Sequence, residues 1–197
     1  AFRALGHYAV SCDLLPAEDN SPFHIQRDVR KVVADGWWNL MVAHPPCTHL
    51  AVSGARWFKD KQVEQAEAIE FFLALVNAPV ERIAVENPVC IMSSRYRKPD
   101  QIIQPWQFGH GEVKATCLWL KGLPLLTPTN IVEGRRPRVH HESPGPERFA
   151  WLAWIVRVRL ACSREQGRQT EYLPGLGRVG QDSPGQIVRV PSRQGQE

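Results

Sequence analysis

Two short apolar runs dominate the pattern of this chain. Leu40-Met41-Val42-Ala43 lies between Asn39 and His44-Pro45-Pro46, and Arg82-Ile83-Ala84-Val85 runs directly into Glu86-Asn87-Pro88. Neither run alternates apolar with polar positions, which is the form of strands covered on both faces. Between them, over residues 60–77, Val63, Ala66, Ile69, Phe72, Leu73 and Val76 recur at three- and four-residue steps and predict the clearest helix, with one apolar face. Residues 7–13 read as a buried strand ending on Asp13, and residues 24–28 as a brief extended piece. Residues 29–35 read as one or two helical turns, and residues 116–120 as a further strand closed by Gly122 and Pro124. Residues 1–5 read as the second half of a helix capped by Gly6, so a preceding strand and turn are expected to be missing.

Strand, helix, strand in that order predicts an α/β fold with a parallel sheet. Ligands of such sheets bind beyond the carboxyl ends of the strands. Asp13, the segment from His44 to Cys47, and the segment from Glu86 to Pro88 all fall at such ends, so three polar groups are expected on one rim. Beyond about residue 160, Gly, Gln, Arg, Pro and Ser dominate and periodicity is lost. The expected organisation is a core over residues 1–148 and an irregular, poorly ordered, flexible tail over residues 149–197.

Composition narrows the function classes only slightly. A chain of 197 residues suits one domain with a buried core. A net charge of +4 is compatible with nucleic acid without singling it out. The cysteines at 12, 47, 90, 117 and 162 are odd in number and include no CxxC pair, which argues for a reducing compartment over a disulfide framework or structural zinc. The seven histidines form no HxxxH or HxH pair, and no metal site is expected. No apolar run approaches the roughly 18 residues that span a bilayer; the nearest, residues 151–160, is broken by Arg157 and Arg159. A soluble protein of the cytoplasm, with no membrane partner, is expected.

The chemistry concentrates at Cys47. Pro45 and Pro46 hold the backbone extended as it leaves the strand and so fix the next side chain over the rim. A thiol there is placed for nucleophilic attack, provided a positive field favours the thiolate; His44, Arg56 and nearby backbone amides are candidates for it. On the cysteine alone, a small buried apolar residue is an equal reading. Glu86 changes the balance, because a carboxylate at the end of a buried strand is costly unless something uses it. A thiol and a carboxylate on neighbouring strand ends suit an aromatic nitrogen heterocycle: the thiolate adds to a ring carbon while the carboxyl group hydrogen-bonds a ring nitrogen.

Pro-Pro-Cys after one strand and Glu-Asn after the next resembles the DNA cytosine-C5 methyltransferases. The loop Pro45-Pro46-Cys47-Thr48-His49-Leu50-Ala51-Val52-Ser53-Gly54 matches the family's Pro-Pro-Cys-Gln-x-Phe-Ser-x-x-Gly at both prolines, the cysteine and the glycine, with Leu50 in place of phenylalanine. Residues 43–119, including Gln104-Pro105-Trp106-Gln107-Phe108-Gly109-His110, are similar to small phage and prophage proteins of cytosine methyltransferase type, and the resemblance covers about residues 1–148. It implies a Rossmann-like class I methyltransferase sheet with helices on both faces, N-terminally incomplete here, in a bacterial or phage-infected host cell. It implies catalysis by Cys47, Glu86 and Asn87 on a cytosine flipped out of DNA, with S-adenosyl-L-methionine as methyl donor. Asp13 would bind the cofactor's ribose and Asp28 its adenine, with His44 and Pro45 alongside; Pro46, Arg56, Arg95, Arg97 and Lys114 would face substrate and DNA. Asp28 reads equally well as a helix cap, and for Arg95, Arg97 and Lys114 a solvated surface charge is the slightly better reading.

The chain departs from that family in three ways. The Gly-containing turn that cradles the cofactor's methionine end is absent, as is the Gln-x-Arg-x-Arg strand, and there is no room for a large target-recognition domain. Three rivals follow. One is a methyltransferase-fold remnant that binds nucleic acid without catalysis. Another is a thymidylate-synthase-like nucleotide enzyme, whose cysteine is normally followed by His where Thr48 stands here. The third is an amino-methyltransferase with Asn-Pro-Pro-aromatic, which His44 and Cys47 do not match.

Overall fold

The computed structural model describes residues 2–17, 19–35 and 37–137 and the backbone strand Val158–Cys162. Seven strands form one sheet: β1 (Tyr8–Asp13), β2 (His24–Gln26), β3 (Leu40–Ala43), β4 (Arg82–Pro88), β5 (Gln101–Ile103), β6 (Thr116–Lys121) and β7 (Val158–Cys162), in the order β2-β1-β7-β3-β4-β6-β5. Both apolar runs become the expected strands and pair in parallel, with Met41 opposite Ile83 and Ala43 opposite Val85. β1 and β2 are also parallel. Since β1 and β3 both run antiparallel to β7, β1 to β4 share one direction and their carboxyl ends share one rim.

The expectation of a parallel sheet holds for β1 to β4 and not for β5, β6 and β7. β6 runs antiparallel to β4, β5 runs antiparallel to β6, and β7 runs antiparallel to both of its neighbours. An apolar run shows that a strand is buried, but not which way it points. β7 also falls within the stretch expected to be irregular. Its sequence, Val158-Arg159-Leu160-Ala161-Cys162, is too short and too mixed to stand out, yet it occupies the middle of the sheet. The rest of residues 138–197 lies outside the described residues, and the expectation of a poorly ordered tail falls there.

Two helices pack beside the sheet. α1 (Val29–Ala34) buries Val29, Val32 and Val33, and α2 (Gln62–Val76) buries Phe72, Leu75 and Val76. The expected face of α2 is only half correct. Val63 is 71 % exposed and Ala66 is also exposed, because the first half of α2 runs past the sheet. Leu75 takes a core position instead, and Phe72 meets the buried Trp119 edge to face at 5.0 Å between ring centroids. Each such buried side chain contributes roughly 1.5–3 kcal/mol. α1 and α2 meet at Arg30, whose guanidinium lies 5.8 Å from the Phe71 ring. α3 (Met92–Arg95) is a single turn following β4. Gly122 closes β6 as expected: its φ is +61°, and a Cβ there would approach the Glu81 carbonyl to 2.7 Å.

Candidate active site

β3 and β4 end together on the shared rim. Their register sets Ala43 against Val85, so the next residues outward, His44 and Glu86, come face to face. His44 Nδ1 stands 3.2 Å from Glu86 Oε2, and the imidazole N–H donates to the carboxylate. One residue further, Asn87 Nδ2 donates to the Pro45 carbonyl at 3.0 Å. These two bonds fasten the His44-Pro45 segment to β4 and fix where Cys47 emerges. Pro45 and Asn87 are buried, and Asn87 is only 1 % exposed. Through Nδ2, Asn87 therefore positions the loop, while its Oδ1 is without a partner among the described residues.

Cys47 begins a tight turn. Its carbonyl accepts from the backbone N–H groups of Leu50 and Ala51 at 3.0 and 2.8 Å. The turn is then stitched to the chain leaving β4: Val52 N–H donates to the Val89 carbonyl at 3.1 Å, and Ile91 N–H to the Leu50 carbonyl at 3.0 Å. The Cys47 loop and the chain leaving β4 are thus held together by backbone hydrogen bonds.

The electrostatics differ from the expected ones. Burial pushes the half-buried Cys47 thiol up, Glu86 pushes it further the same way, and Lys114 opposes both. Lys114 is thus the cation near the sulfur. His44 is turned to Glu86, and Arg56 is exposed with its guanidinium 5.1 Å from the Trp57 ring. Two further buried thiols border the carboxylate. Cys117 stands opposite Asn87 in the β4–β6 register and is pushed up by burial and then by Glu86. Cys90 is raised to about 11, mainly by burial.

Glu86 is 8 % exposed, and its Oε1 has no hydrogen-bond partner among the described residues; the same is true of Asn87 Oδ1. Leaving a buried acceptor unpaired costs about 1–3 kcal/mol, so two such atoms on adjacent residues mark a site with capacity for a donor.

Along the rim towards β1 and β2 runs a cleft of about 590 Å³. Asp13, Asp28, His44 and Pro46 are on its walls, with Arg30 and Phe71 closing one side. Three of the four residues expected at a cofactor therefore come together. Pro45 is replaced on the wall by Pro46, because the buried ring packs beneath while its neighbour faces outward. Asp13 Oδ1 accepts from the Leu15 backbone N–H at 3.0 Å, forming an Asx turn after β1. Asp28 is the N-cap of α1: Oδ1 accepts from Arg30 N–H at 2.9 Å, and Oδ2 takes the Arg30 Nη2 at 2.7 Å. The Arg30 side chain holds the Asp28 carboxyl below the usual carboxylate range.

Of the remaining expected cations, Arg97 is engaged away from this rim. Arg97 pairs with Asp100 at 2.8 Å and donates to the Leu120 carbonyl at 3.2 Å, near the opposite end of β4. Arg95 is exposed on α3. The His44–Glu86 pairing escaped the sequence reading because it depends on a register between residues 42 apart. Among the described residues no group of three His, Cys, Asp or Glu side chains could hold a metal ion, and no helix is long and apolar enough to cross a membrane. Comparison with protein-family models, with curated proteins and with solved structures gave no match for this chain.

Proposed function

We propose that this chain is a cytosine-C5 methyltransferase acting on DNA, with Cys47 as nucleophile and Glu86 as the group that binds the pyrimidine edge. The observation that carries the reading is the joint placement of the two: a half-buried thiol and a buried carboxylate with one unpaired oxygen, held at adjacent strand ends by His44–Glu86 and Asn87–Pro45. His44 occupies Oε2, which leaves the buried Oε1 with capacity for a donor. Cytosine offers one in the N–H of its exocyclic amine, with the ring nitrogen N3 beside it.

The steps follow from those groups. The Cys47 thiolate adds to C6, and the C5–C6 π pair moves to C5 and the adjoining N3–C4 system. Glu86 hydrogen-bonds the N3 and amine edge, where the charge is taken up; one further proton, carried by the His44–Glu86 pair when the base enters, passes to N3 and returns to the pair later. C5 then accepts a methyl group and loses its proton to a base. The electron pair so freed expels Cys47 from C6 and restores the double bond. Lys114 favours the thiolate at the start and steadies it again as it leaves. S-adenosyl-L-methionine, when bound, supplies the electrophilic methyl group.

The cleft fits the nucleoside half of that donor, with Asp13 at the end of β1 facing the ribose hydroxyls, the position carboxylates take in nucleotide-binding α/β folds. Asp28 fits the adenine less well, since Arg30 already engages both of its oxygens. No Gly-rich turn follows a strand at the centre of the sheet among the described residues. That place is held by β7 running the other way. A Rossmann-like methyltransferase core is the finer reading of the mixed sheet, supported by the change of direction of the strand order between β1 and β3, where such folds bind their ligands.

Transfer of a labelled methyl group from S-adenosyl-L-methionine into DNA, recovered as 5-methylcytosine, tests the proposal. Transfer by the wild-type chain and none by Cys47→Ser supports it. Absence of both transfer and cofactor binding favours a non-catalytic nucleic-acid-binding remnant. Trapping by 5-fluoro-dUMP with a folate would replace it with a thymidylate-synthase-like enzyme.

A further inference from the structure

The nine residues after the Cys47 turn, Val52–Asp60, form a 3₁₀ segment with no buried residue. Trp57 lies in it 56 % exposed, and Val52 is 49 % exposed. A tryptophan carries one of the largest apolar surfaces a chain can bury, so its exposure beside a candidate active site calls for a ligand of matching shape. Its neighbours are cations. The Arg56 guanidinium stands 5.1 Å from its ring, and Lys59 and Lys61 follow, against the single acidic Asp60. Beside the indole is a pocket of about 330 Å³ lined by Thr48, His49, Gly54, Trp57, Phe58 and Lys61.

The pocket is tied to the nucleophile. Thr48 and His49 are the residues next to Cys47, the His49 carbonyl is held by Gln65 Nε2 at 3.2 Å, and Ala51 bridges to Cys90. A flat aromatic face with cations around it suits a nucleobase and its phosphates. Bases stack on such faces whatever their identity. A protein partner fits less well, because the cores of protein interfaces are depleted of lysine, and here apolar and cationic residues are interleaved.

We infer that the Trp57 pocket binds an unpaired base adjacent to the one presented to Cys47, with Arg56, Lys59 and Lys61 on the flanking phosphates. The nucleic acid this chain prefers is therefore single-stranded, since a base inside a duplex has no free face to offer. The identity of the neighbouring base rests on the chemistry proposed for Cys47; the binding itself does not.

Fluorescence anisotropy of a short labelled single-stranded DNA, with its duplex as competitor, tests this in the full chain carrying Cys47→Ser. Added Trp57→Ala should weaken single-strand binding about fivefold or more, while Trp57→Phe keeps it close to the parent. Arg56→Gln and Lys61→Gln should each reduce the salt slope by about one. Equal binding by Trp57→Ala, or a duplex bound as tightly as the single strand, overturns the inference. A Trp57-dependent complex without methyl transfer by the wild-type chain would sink the methyltransferase proposal and leave this one standing.

Discussion

The rim has two halves, and their carboxylates are treated differently. On the β1–β2 side Asp13 closes a turn, and Asp28 caps α1 while pairing with Arg30. On the β3–β4 side Glu86 is buried with one oxygen unpaired, and Asn87 beside it has an unpaired oxygen too. A carboxylate with partners is accounted for by the fold, whereas a buried acceptor without one costs stability that the fold does not recover. The reacting half of the proposed site therefore has a signature of function that the cofactor half lacks.

Substitutions on the two halves should behave in opposite ways. The largest effect is expected from Cys47→Ser, which should reduce methyl transfer to background while changing unfolding free energy by less than about 1 kcal/mol, since the side chain is half-buried and its oxygen analogue is isosteric. Urea titration beside the transfer assay separates the two quantities. Glu86→Gln should lower transfer by about 10²–10³ without destabilising the chain, because it removes a buried charge that lacks one of its partners. A clear loss of stability in that variant would show Glu86 to be a structural residue.

Asp28→Ala should do the reverse. Losing the cap should cost about 0.5–2 kcal/mol, with transfer per folded molecule little changed. Its carboxyl is held low in the folded state by Arg30. The stability it contributes is thus fully present above its unfolded pKa and is lost as pH falls through the folded one. Asp28→Asn keeps a capping oxygen and should remove that part of the acid sensitivity, read from urea midpoints across the acid range.

The smallest effects concern the thiol alone. Burial and Glu86 both raise Cys47, so its alkylation by iodoacetamide should accelerate only above the ordinary thiol range. Removing the negative charge with Glu86→Gln should speed alkylation at a fixed mildly alkaline pH, and removing the positive charge with Lys114→Gln should slow it. Cys12 and Cys90, each pushed up to about 11, should react more slowly than Cys47 in peptide maps of the native chain.

The part of this arrangement that was legible in the sequence lies where short-range pattern meets a fixed rule. Leu40–Ala43 and the start of β4 are apolar runs, and the groups at their ends, His44 to Cys47 and Glu86, had to reach the same rim once the strands were parallel neighbours. The direction of β6 and the place of β7 were not legible, because both are set by partners far away in sequence. The two roles of Asp28 were equally weighted in the sequence, and the capping geometry with Arg30 favours the structural one. The bond from the Asn87 amide to the Pro45 carbonyl, across 42 residues, is equally invisible in the sequence. Lys114, in the loop before β6, acts electrostatically on the Cys47 thiol, an influence that no periodicity announces.

Covalent trapping tests the pairing of Cys47 with a cytosine most directly. Fluorine at C5 cannot leave as the proton does, so addition and methyl transfer should proceed and elimination should stop. DNA containing 5-fluorocytosine, incubated with the chain and S-adenosyl-L-methionine, should give a complex stable to denaturation, with peptide mapping placing the methylated base on Cys47. The adduct should vanish in Cys47→Ser. An adduct on another cysteine, or none from a chain that demonstrably binds the cofactor and the DNA, would contradict the assignment of Cys47 as the nucleophile.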